Sequence, residues 1–429
     1  MKKINLTGIN TSMNNYIQMK TLRCGIRVIM EKIDYVQSAS FGVWVKTGAV
    51  NEKAQNAGIS HFIEHMLFKG TEKRNSRQIA EDIDKIGGQI NAFTGKEATC
   101  FYVKTLSNSL EKGAEVVLDM VNNAVFNSSE MDKERQVICE EIKMVEDQPD
   151  EIAHDTILEL VFAGNPLGNS IIGTPKSLGL IDRKVIIDYK TREYTKDSIV
   201  VSVAGNFNED QVLEFLDNKF EKLTDSKDKL ILKKSEYKKS FKVLKRDIQQ
   251  SHLCLATKGV SLTDPRYFAL SILNNVMGGS MSSRLFQNIR EEQGLAYSVY
   301  SVQSSFSYDG YFNIYAGVAH DKIEKTIKAI EKELEILSKN GISKEEMEMS
   351  KEQLKSTYIF GQENVASRMF VNGKNALLLD KIFSSEEIIK KYDEVKMDDI
   401  ENAKELICDV NSYSGVLVSD REINLEKLV

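Results

Sequence analysis

The sequence lacks most of the features that mark membrane, secreted or nucleic-acid-binding proteins. Its 429 residues contain no uninterrupted apolar run of about 18 residues, the length that a membrane-spanning helix needs. The N-terminal segment is polar after Lys2 and Lys3 and has no apolar stretch typical of a secretion signal, so we expect a cytoplasmic protein. The 57 basic and 63 acidic side chains nearly balance, which argues against binding to nucleic acid or to a membrane surface.

Cysteine and histidine are also scarce. The five cysteines are scattered without a C-x-x-C pair, which indicates reduced thiols rather than a disulfide framework or a cysteine-based zinc site. Of the five histidines, His154, His252 and His320 have no partner at the spacing of metal ligands, and we predict that they are structural or surface residues, although His154 is near an acidic helix and could approach a metal site. Only the two remaining histidines form a pattern that indicates chemistry.

The chain repeats one order of elements twice. An alternating strand at residues 38–48 precedes a helix at residues 57–69, and a similar strand at residues 251–259 precedes a helix at residues 267–277. A shorter helix, two paired strands, two long helices and a closing strand follow in each half. This order predicts an α+β protein with two homologous-looking α/β-layer domains, each a mainly antiparallel sheet with helices packed on one face.

The domain boundaries follow from a lysine-rich stretch between the two repeats. We predict a first domain at residues 1–221, a solvated linker at residues 222–240 and a second domain at residues 241–429. A metal-binding pattern is present in the first domain, whereas the corresponding helix of the second domain has no metal ligand.

The pattern consists of two histidines four residues apart in the helical segment G-I-S-H-F-I-E-H. Positions i and i+4 lie on one face of a helix, so His61 and His65 can reach the same ion. Zinc is expected because neutral imidazole is a preferred ligand of this metal, although affinity order would not by itself exclude manganese or cobalt. Glu64 would lie beside the metal, where a general base can take a proton from zinc-activated water.

A third protein ligand has to come from elsewhere, and the acidic helix at residues 129–147 is the candidate. Glu134 and Glu141 are seven residues apart on one face, so one could bind the metal while the other holds a ligand in place. Glu140 points about a quarter-turn away from Glu141 and is the weaker choice. By composition alone these acids are more typical of a solvated helix face, and the residues alone leave that alternative open.

The two motifs together resemble the pitrilysin/insulinase family of zinc peptidases. H-x-x-E-H reverses H-E-x-x-H and is the inverzincin signature. The segment G-I-S-H-F-I-E-H-M-L-F-K-G-T is similar to that of two-domain members related to the beta subunit of mitochondrial processing peptidase. The family pattern has its third ligand in an E-R-x-V-I-x-x-E context, which assigns Glu141 as ligand and Glu134 as the supporting acid. The resemblance thus implies one zinc ion per chain, held by His61, His65 and Glu141, with Glu64 as the catalytic base.

The resemblance also implies how a substrate is held. The segment N-A-F-T, followed by Glu97, resembles the edge strand of the family, whose backbone pairs with an extended peptide; here it contains Asn91, Ala92 and Phe93. In the second half, Arg290 and Tyr297 resemble a pair that contacts the substrate backbone and the tetrahedral intermediate.

Family members of this length pair two chains around a closed chamber. The resemblance therefore implies a homodimer in which Arg290 and Tyr297 complete the zinc site of the partner chain, although a heterodimer with a related chain stays open.

The leading hypothesis is a zinc-dependent metalloendopeptidase that hydrolyses peptide bonds of short or unfolded polypeptides. The alternative is a non-catalytic peptide-binding or assembly subunit of the same family. H-x-x-E-H by itself is also compatible with a zinc hydrolase of non-peptide bonds. The physiological substrate and the cleavage-site preference are not encoded in any pattern that we recognise.

Overall fold

The computed structural model describes residues 17–221, 223–225 and 232–428. It contains two sheets with helices packed against them, which confirms the predicted α+β class. The boundaries of the two domains and the linker stay predictions.

The described strands form one sheet in each half of the chain. The strands of the first sheet are β1 Ile17–Thr21, β2 Arg27–Lys32, β3 Ser38–Val45, β4 Gln89–Thr94, β5 Thr99–Leu106 and β6 Ile199–Gly205. Those of the second sheet are β7 Phe241–Lys245, β8 Ser251–Lys258, β9 Ala296–Ser305, β10 Gly310–Val318 and β11 Ser414–Ser419. The spatial orders are β1-β2-β6-β3-β5-β4 and β7-β11-β8-β10-β9. Five strands of each sheet therefore follow the same order, with β4 and β9 at corresponding edges, as an internal repeat requires.

Both sheets are mainly antiparallel, as predicted, and each contains one parallel pair. These pairs are β2 with β6 and β7 with β11. In each pair the second strand is the closing strand of its half, which returns to the sheet after the long helices.

The helices mostly follow the strands in each half. Those of the first half are α1 Ile59–Leu67, α2 Ser76–Asp84, α3 Leu110–Asn123, α4 Ser128–Glu146, α5 Pro149–Val161, α6 Pro175–Gly179, α7 Arg183–Glu193 and α8 Glu209–Leu216. Those of the second half are α9 Tyr267–Asn274, α10 Ile323–Asn340, α11 Lys344–Gln362, α12 Val365–Leu379, α13 Ser385–Asp393 and α14 Met397–Lys404. The four long helices predicted from periodicity correspond to α3, α4, α10 and α11. The second-half counterpart of α2 differs, because it is a π-helical segment, Phe286–Glu292.

One face of each sheet packs against the helices of its own half. In the first half, β3, β5 and β6 contribute buried residues such as Val43, Phe101 and Val201 to a core with Phe62 of α1 and Val117 of α3. The second half has an equivalent core between its sheet and the helices α9, α10 and α14. The first of these cores holds α1, the helix that carries the two histidines of the predicted metal site.

The opposite face of each sheet is covered by a helix from the other half, which the sequence patterns do not predict. Met369 of α12 packs with Trp44 and Cys100 of the first sheet, and Ile157 of α5 packs with Cys254 of the second sheet. This exchange explains why β3 is buried along nearly its whole length. The two halves therefore share apolar cores instead of folding side by side.

A buried polar contact accompanies the exchange at α12. Arg368 forms an ion pair with Glu31 of β2, and Asn372 Nδ2 donates to the other oxygen of the same carboxylate at 2.7 Å. Because Glu31 is only 2% exposed, these donors compensate for the lost hydration of its charge.

The structure describes residues 223–225 and 232–240 of the predicted linker; the lysines of the second stretch are exposed, but polar contacts also hold this stretch against the second half. Ser235 donates from its amide and its hydroxyl to Asp309, both at 2.7 Å, and the Tyr237 hydroxyl contacts Ser414 at 3.0 Å. The high lysine content predicts an exposed segment and gives no indication of these long-range polar contacts. Residues 222 and 226–231 lie outside the described part of the chain.

No helix within the described ranges is long and apolar enough to cross a lipid bilayer.

Candidate metal centre

Helix α1 carries both histidines of the H-x-x-E-H motif. It begins after Gly58, whose φ of +88° is a conformation that other residues rarely adopt. A Cβ at Gly58 would also lie 2.6 Å from the carbonyl oxygen of Ile172, so glycine is required on two grounds. Apolar residues of α1, including Phe62 and Ile63, are fully buried in the first core and fix the helix face that carries the histidines.

His61 and His65 converge with Glu141 of α4. The Glu141 Oε2 atom lies 3.8 Å from His61 Nε2 and 3.7 Å from His65 Nε2. One ligand atom from each of the three residues lies within 4.8 Å of the other two. His61 and Glu141 are 80 positions apart in the chain, yet the structure brings both of them together with His65.

This donor set fits a zinc ion. Tetrahedral zinc with bonds of 2.0–2.1 Å separates neighbouring ligand atoms by about 3.3 Å, slightly less than the separations of Glu141 from the two imidazoles. Two imidazoles and one carboxylate leave a fourth position for water, as in catalytic zinc sites. Burial, and then the neighbouring His65, lower the pKa of His61 to about 4, which keeps this imidazole neutral and able to bind a metal.

Glu134 contacts the outer nitrogen of one of the two histidines. Its Oε2 atom lies 3.1 Å from His65 Nδ1, and its Oε1 atom lies 2.6 Å from Lys69 Nζ. A proton on Nδ1 that is donated to this carboxylate leaves the Nε2 lone pair directed at the metal position. Glu140, the residue that periodicity could not fully exclude, is instead exposed and pairs with Lys143 at 2.7 Å.

Glu64 lies beside the ligands and has a different partner. Its Oε2 atom accepts a hydrogen bond from the Thr94 hydroxyl at 2.5 Å. Burial raises the pKa of the Glu64 carboxyl, whereas the Thr94 hydrogen bond and His65 lower it. A carboxylate with a raised pKa is a stronger base, which suits proton transfer from water at neutral pH.

Strand β4, which contains the predicted substrate-binding residues, is an edge strand that pairs only with β5 among the described strands. Its side chains alternate between exposed and partly buried, with Asn91 and Phe93 exposed and Ala92 on the opposite face. Thr94 lies on the same face as Ala92 and joins this strand to Glu64. A strand edge that pairs with no other described strand therefore ends beside the candidate metal centre, and on it the Ala92 amide donates to the Asn91 side-chain oxygen at 2.8 Å.

The predicted Arg/Tyr pair lies in the second half. The Arg290 guanidinium lies 5.6 Å from the ring centroid of Tyr297 and 4.7 Å from that of Phe286. Tyr297 is 76% exposed. Within the described residues, the contacts of Arg290 are with Phe286, Tyr297 and Glu291, and none joins it to the metal centre of its own chain.

Comparison with known families accounts for both halves. Residues 27–175 match the profile of "Insulinase (Peptidase family M16)", and residues 181–354 match that of "Peptidase M16 inactive domain". A protein of Bacillus subtilis named an uncharacterized zinc protease is 39% identical over 404 residues, which cover 94% of this chain and 98% of that relative. The chain belongs to the insulinase, or M16, peptidase family. A second uncharacterized zinc protease, from Rickettsia felis, is 34% identical over 406 residues and covers the same shares of the two chains.

Solved structures show the same M16 fold. A protease from Helicobacter pylori superposes with a TM-score of 0.87 at 21% identity and covers 94% of this chain and 99% of its own. A protein from Pseudomonas fluorescens, described as a peptidase M16 inactive domain, has a TM-score of 0.88 at 18% identity and covers 95% and 98%. At these identities the comparison establishes the fold, and the family membership at the sequence level supports a zinc metallopeptidase.

Several contacts of this M16 site were not predicted from the sequence. Thr94 contacts Glu64, Lys69 contacts Glu134, and the buried Glu52 contacts the first turn of α1. A local indication exists only for the Glu52 contact. Helix α1 begins at Gly58, which has no side chain to cap the helix, so the capping group has to come from another segment. Thr94 and Lys69 become partners of the site through tertiary packing alone.

Proposed function

We propose that this protein is a zinc metalloendopeptidase that hydrolyses peptide bonds of short or unfolded polypeptides, with Glu64 as the catalytic base. The observation that carries the proposal is the convergence of His61, His65 and Glu141 with Glu64 beside them. A zinc ion held there would supply a Lewis acid and a water whose pKa is lowered to about 7. Membership of the M16 family, with relatives named zinc proteases, supports the same chemistry.

The side chains of the site have separate roles in this proposal. Glu64 accepts a proton from the attacking water and then transfers it to the nitrogen of the leaving amine. Thr94 holds the Glu64 carboxylate, and Glu134 holds the His65 ring in its metal-binding orientation. Because β4 offers backbone hydrogen bonds beside Glu64, an extended peptide adding to this edge would present its own backbone to the base.

Replacement of Glu64 tests the assignment. Glu64→Gln retains the size of the side chain but removes its basicity, so cleavage of an unstructured fluorogenic peptide should fall by about 100-fold to 10,000-fold. Zinc content measured by atomic absorption should stay at one ion per chain. Glu140→Gln is the matched control because Glu140 is exposed on the same helix as Glu141. A Glu64→Gln enzyme with full activity would eliminate Glu64 as the base.

The proposal includes a homodimer in which Arg290 and Tyr297 act on the site of the partner chain. Their side chains are donors suited to a developing oxyanion, and Tyr297 is largely exposed. A mixture of inactive Glu64→Gln and inactive Arg290→Ala chains should recover activity, because half of the sites in a mixed dimer would contain both residues. Absence of recovery despite mixed dimers detected by native mass spectrometry would exclude action in trans.

The alternative function is a non-catalytic peptide-binding or assembly subunit of the family. It is favoured only by the match of residues 181–354 to a domain described as inactive. The two functions differ in one measurement: chelator-sensitive cleavage of an unstructured peptide is expected of the peptidase and not of the subunit.

A further inference from the structure

The first turn of α1 has no capping side chain of its own. A helix leaves its first N–H groups without partners in the helix, and a side chain at the N-cap normally accepts from one of them. Here the N-cap residue is Gly58, which can offer no such group. His61 lies in this same first turn, so disorder there would be transmitted directly to a proposed metal ligand.

Glu52 supplies the missing acceptor from a separate segment of the chain. Its Oε2 atom accepts from the Gly58 amide at 2.7 Å, and its Oε1 atom accepts from the Ser60 amide at 2.9 Å. The residue is 7% exposed, so that water does not compete effectively for these donors. One carboxylate thus holds the amides of Gly58 and Ser60, two residues apart, at the start of the helix.

A second contact restrains the same turn. The Tyr189 hydroxyl lies 2.9 Å from the Ser60 hydroxyl and 3.0 Å from the Thr47 hydroxyl, which connects α1 to α7 and to the end of β3. Tyr189 and Ser60 are almost completely buried. The residue directly before His61 is therefore restrained through both its amide and its side chain.

The two histidines differ in what orients them. His65 has a side-chain partner, because its Nδ1 atom contacts Glu134. His61 Nδ1 is buried and has no hydrogen-bond partner among the described residues. The direction of the His61 ring therefore depends on the backbone from which it projects and on packing, and that backbone is the turn held by Glu52.

We propose that Glu52 is a positioning residue that holds the first turn of α1 and thereby directs His61 at the metal. This inference rests on the proposed zinc site and adds to it the element that orients this ligand. Burial raises the pKa of Glu52 to about 7, whereas the hydrogen bonds from the Ser60 and Gly58 amides lower it. In its ionised form the carboxylate also places negative charge at the positive end of the helix dipole, which reduces the repulsion between that end and a nearby divalent cation. Glu52 thus contributes to metal affinity without touching the metal.

Metal affinity of the full-length protein tests the proposal. In Glu52→Gln the side-chain amide can accept from only one of the two N–H groups and turns its own NH₂ toward the other. We expect the zinc affinity, measured by competition with a chromophoric chelator, to fall by about 10-fold to 100-fold. The visible absorption of the Co²⁺-substituted protein should also change, because the ligand geometry at His61 is altered.

Glu333→Gln is the control for loss of a buried acid. Glu333 is 6% exposed and accepts from Asn288 Nδ2 at 2.7 Å in the second half of the chain. This variant should keep the wild-type zinc affinity and Co²⁺ spectrum whatever happens to its melting temperature. If Glu52→Gln does not fold, Glu52→Asp is measured instead, since its shorter side chain keeps the charge but cannot reach both the Gly58 and the Ser60 amides, and it should weaken zinc binding several-fold.

The outcomes separate the inference from the proposed function. Wild-type zinc affinity and an unchanged Co²⁺ spectrum in Glu52→Gln, or in Glu52→Asp if that variant is used, would overturn the positioning role while leaving the zinc site intact. Failure of the wild-type protein to bind zinc would instead overturn the proposed function.

Discussion

Glu134, which contacts His65, shows how a single residue can orient a ligand of the proposed metal centre. Glu134 is 6% exposed and lies between His65 and Lys69, so its negative charge is compensated on one side and directed at an imidazole on the other. Such a carboxylate increases the basicity of the imidazole and fixes its tautomer.

Removal of this acid should weaken zinc binding without removing a ligand. Glu134→Ala deletes the acceptor for His65 and leaves Lys69 without its partner, so we expect a loss of about 10-fold to 100-fold in zinc affinity by chelator competition. Glu130→Ala serves as the control, because Glu130 is on the same helix and pairs with the exposed Lys133. Equal affinities of the two variants would show that Glu134 does not support the ligand.

At the scale of elements, the two sheets are linked beside the edge strands. Glu97, in the turn after β4, accepts from the Ser307 amide at 2.9 and 3.1 Å and also from its hydroxyl. Ser307 lies in the turn between β9 and β10. The sequence associated Glu97 with the substrate-binding edge, whereas the structure gives its carboxylate a structural partner in the other half.

This link should contribute to stability. Glu97→Ala leaves the Ser307 amide without its acceptor in a partly buried turn, so the free energy of unfolding should decrease by about 1–3 kcal/mol in urea denaturation. Hydrogen exchange of the β4 and β9 turns should accelerate more than that of β3. The exposed residue Glu72 provides a control, since Glu72→Ala should change neither quantity; an equally stable Glu97→Ala protein would show that the link is dispensable.

At the scale of the whole molecule, His154 of α5 belongs to the exchange between the halves. Its Nε2 atom lies 2.9 Å from the Tyr300 hydroxyl, and its ring stacks on Tyr315 with centroids 5.0 Å apart. Burial lowers the pKa of His154 below its ordinary value, although three acids on its own helix, Glu151, Asp150 and Asp155, raise it. The neutral imidazole is therefore the form that fits between the helix and the second sheet.

A pH dependence of stability follows. The unfolded chain binds a proton at His154 below about pH 6.5, whereas the folded chain resists it, so this residue destabilises the fold as the pH falls below that value. His154→Gln should reduce the loss of unfolding free energy between pH 7 and pH 5.5, measured by urea denaturation of the metal-free protein. Part of the slope should persist, because in the metal-free protein burial also lowers the pKa of His61, to about 4, and that of His252 on β8. Identical slopes in the two proteins would contradict this assignment.

Much of the local structure was predictable because it depends on short-range patterns. The alternation of apolar and polar residues predicted strands β3 and β8. The 3.6-residue period of apolar residues predicted helices α1, α3 and α4 to within a few residues. The repeat predicted two sheets of one class. The exchange of α5 and α12 was not predictable, since an apolar helix face does not reveal which sheet it will cover.

The sequence alone determined the chemistry available to this protein: two imidazoles on one helix face, an acid beside them and a later acidic helix, because side-chain type and helical spacing are local properties. Tertiary structure decided which acid meets both imidazoles, which acid supports His65, and that Glu52 holds the helix on which His61 depends. These decisions are made by packing between segments far apart in the chain, where the distances between atoms depend on the whole fold.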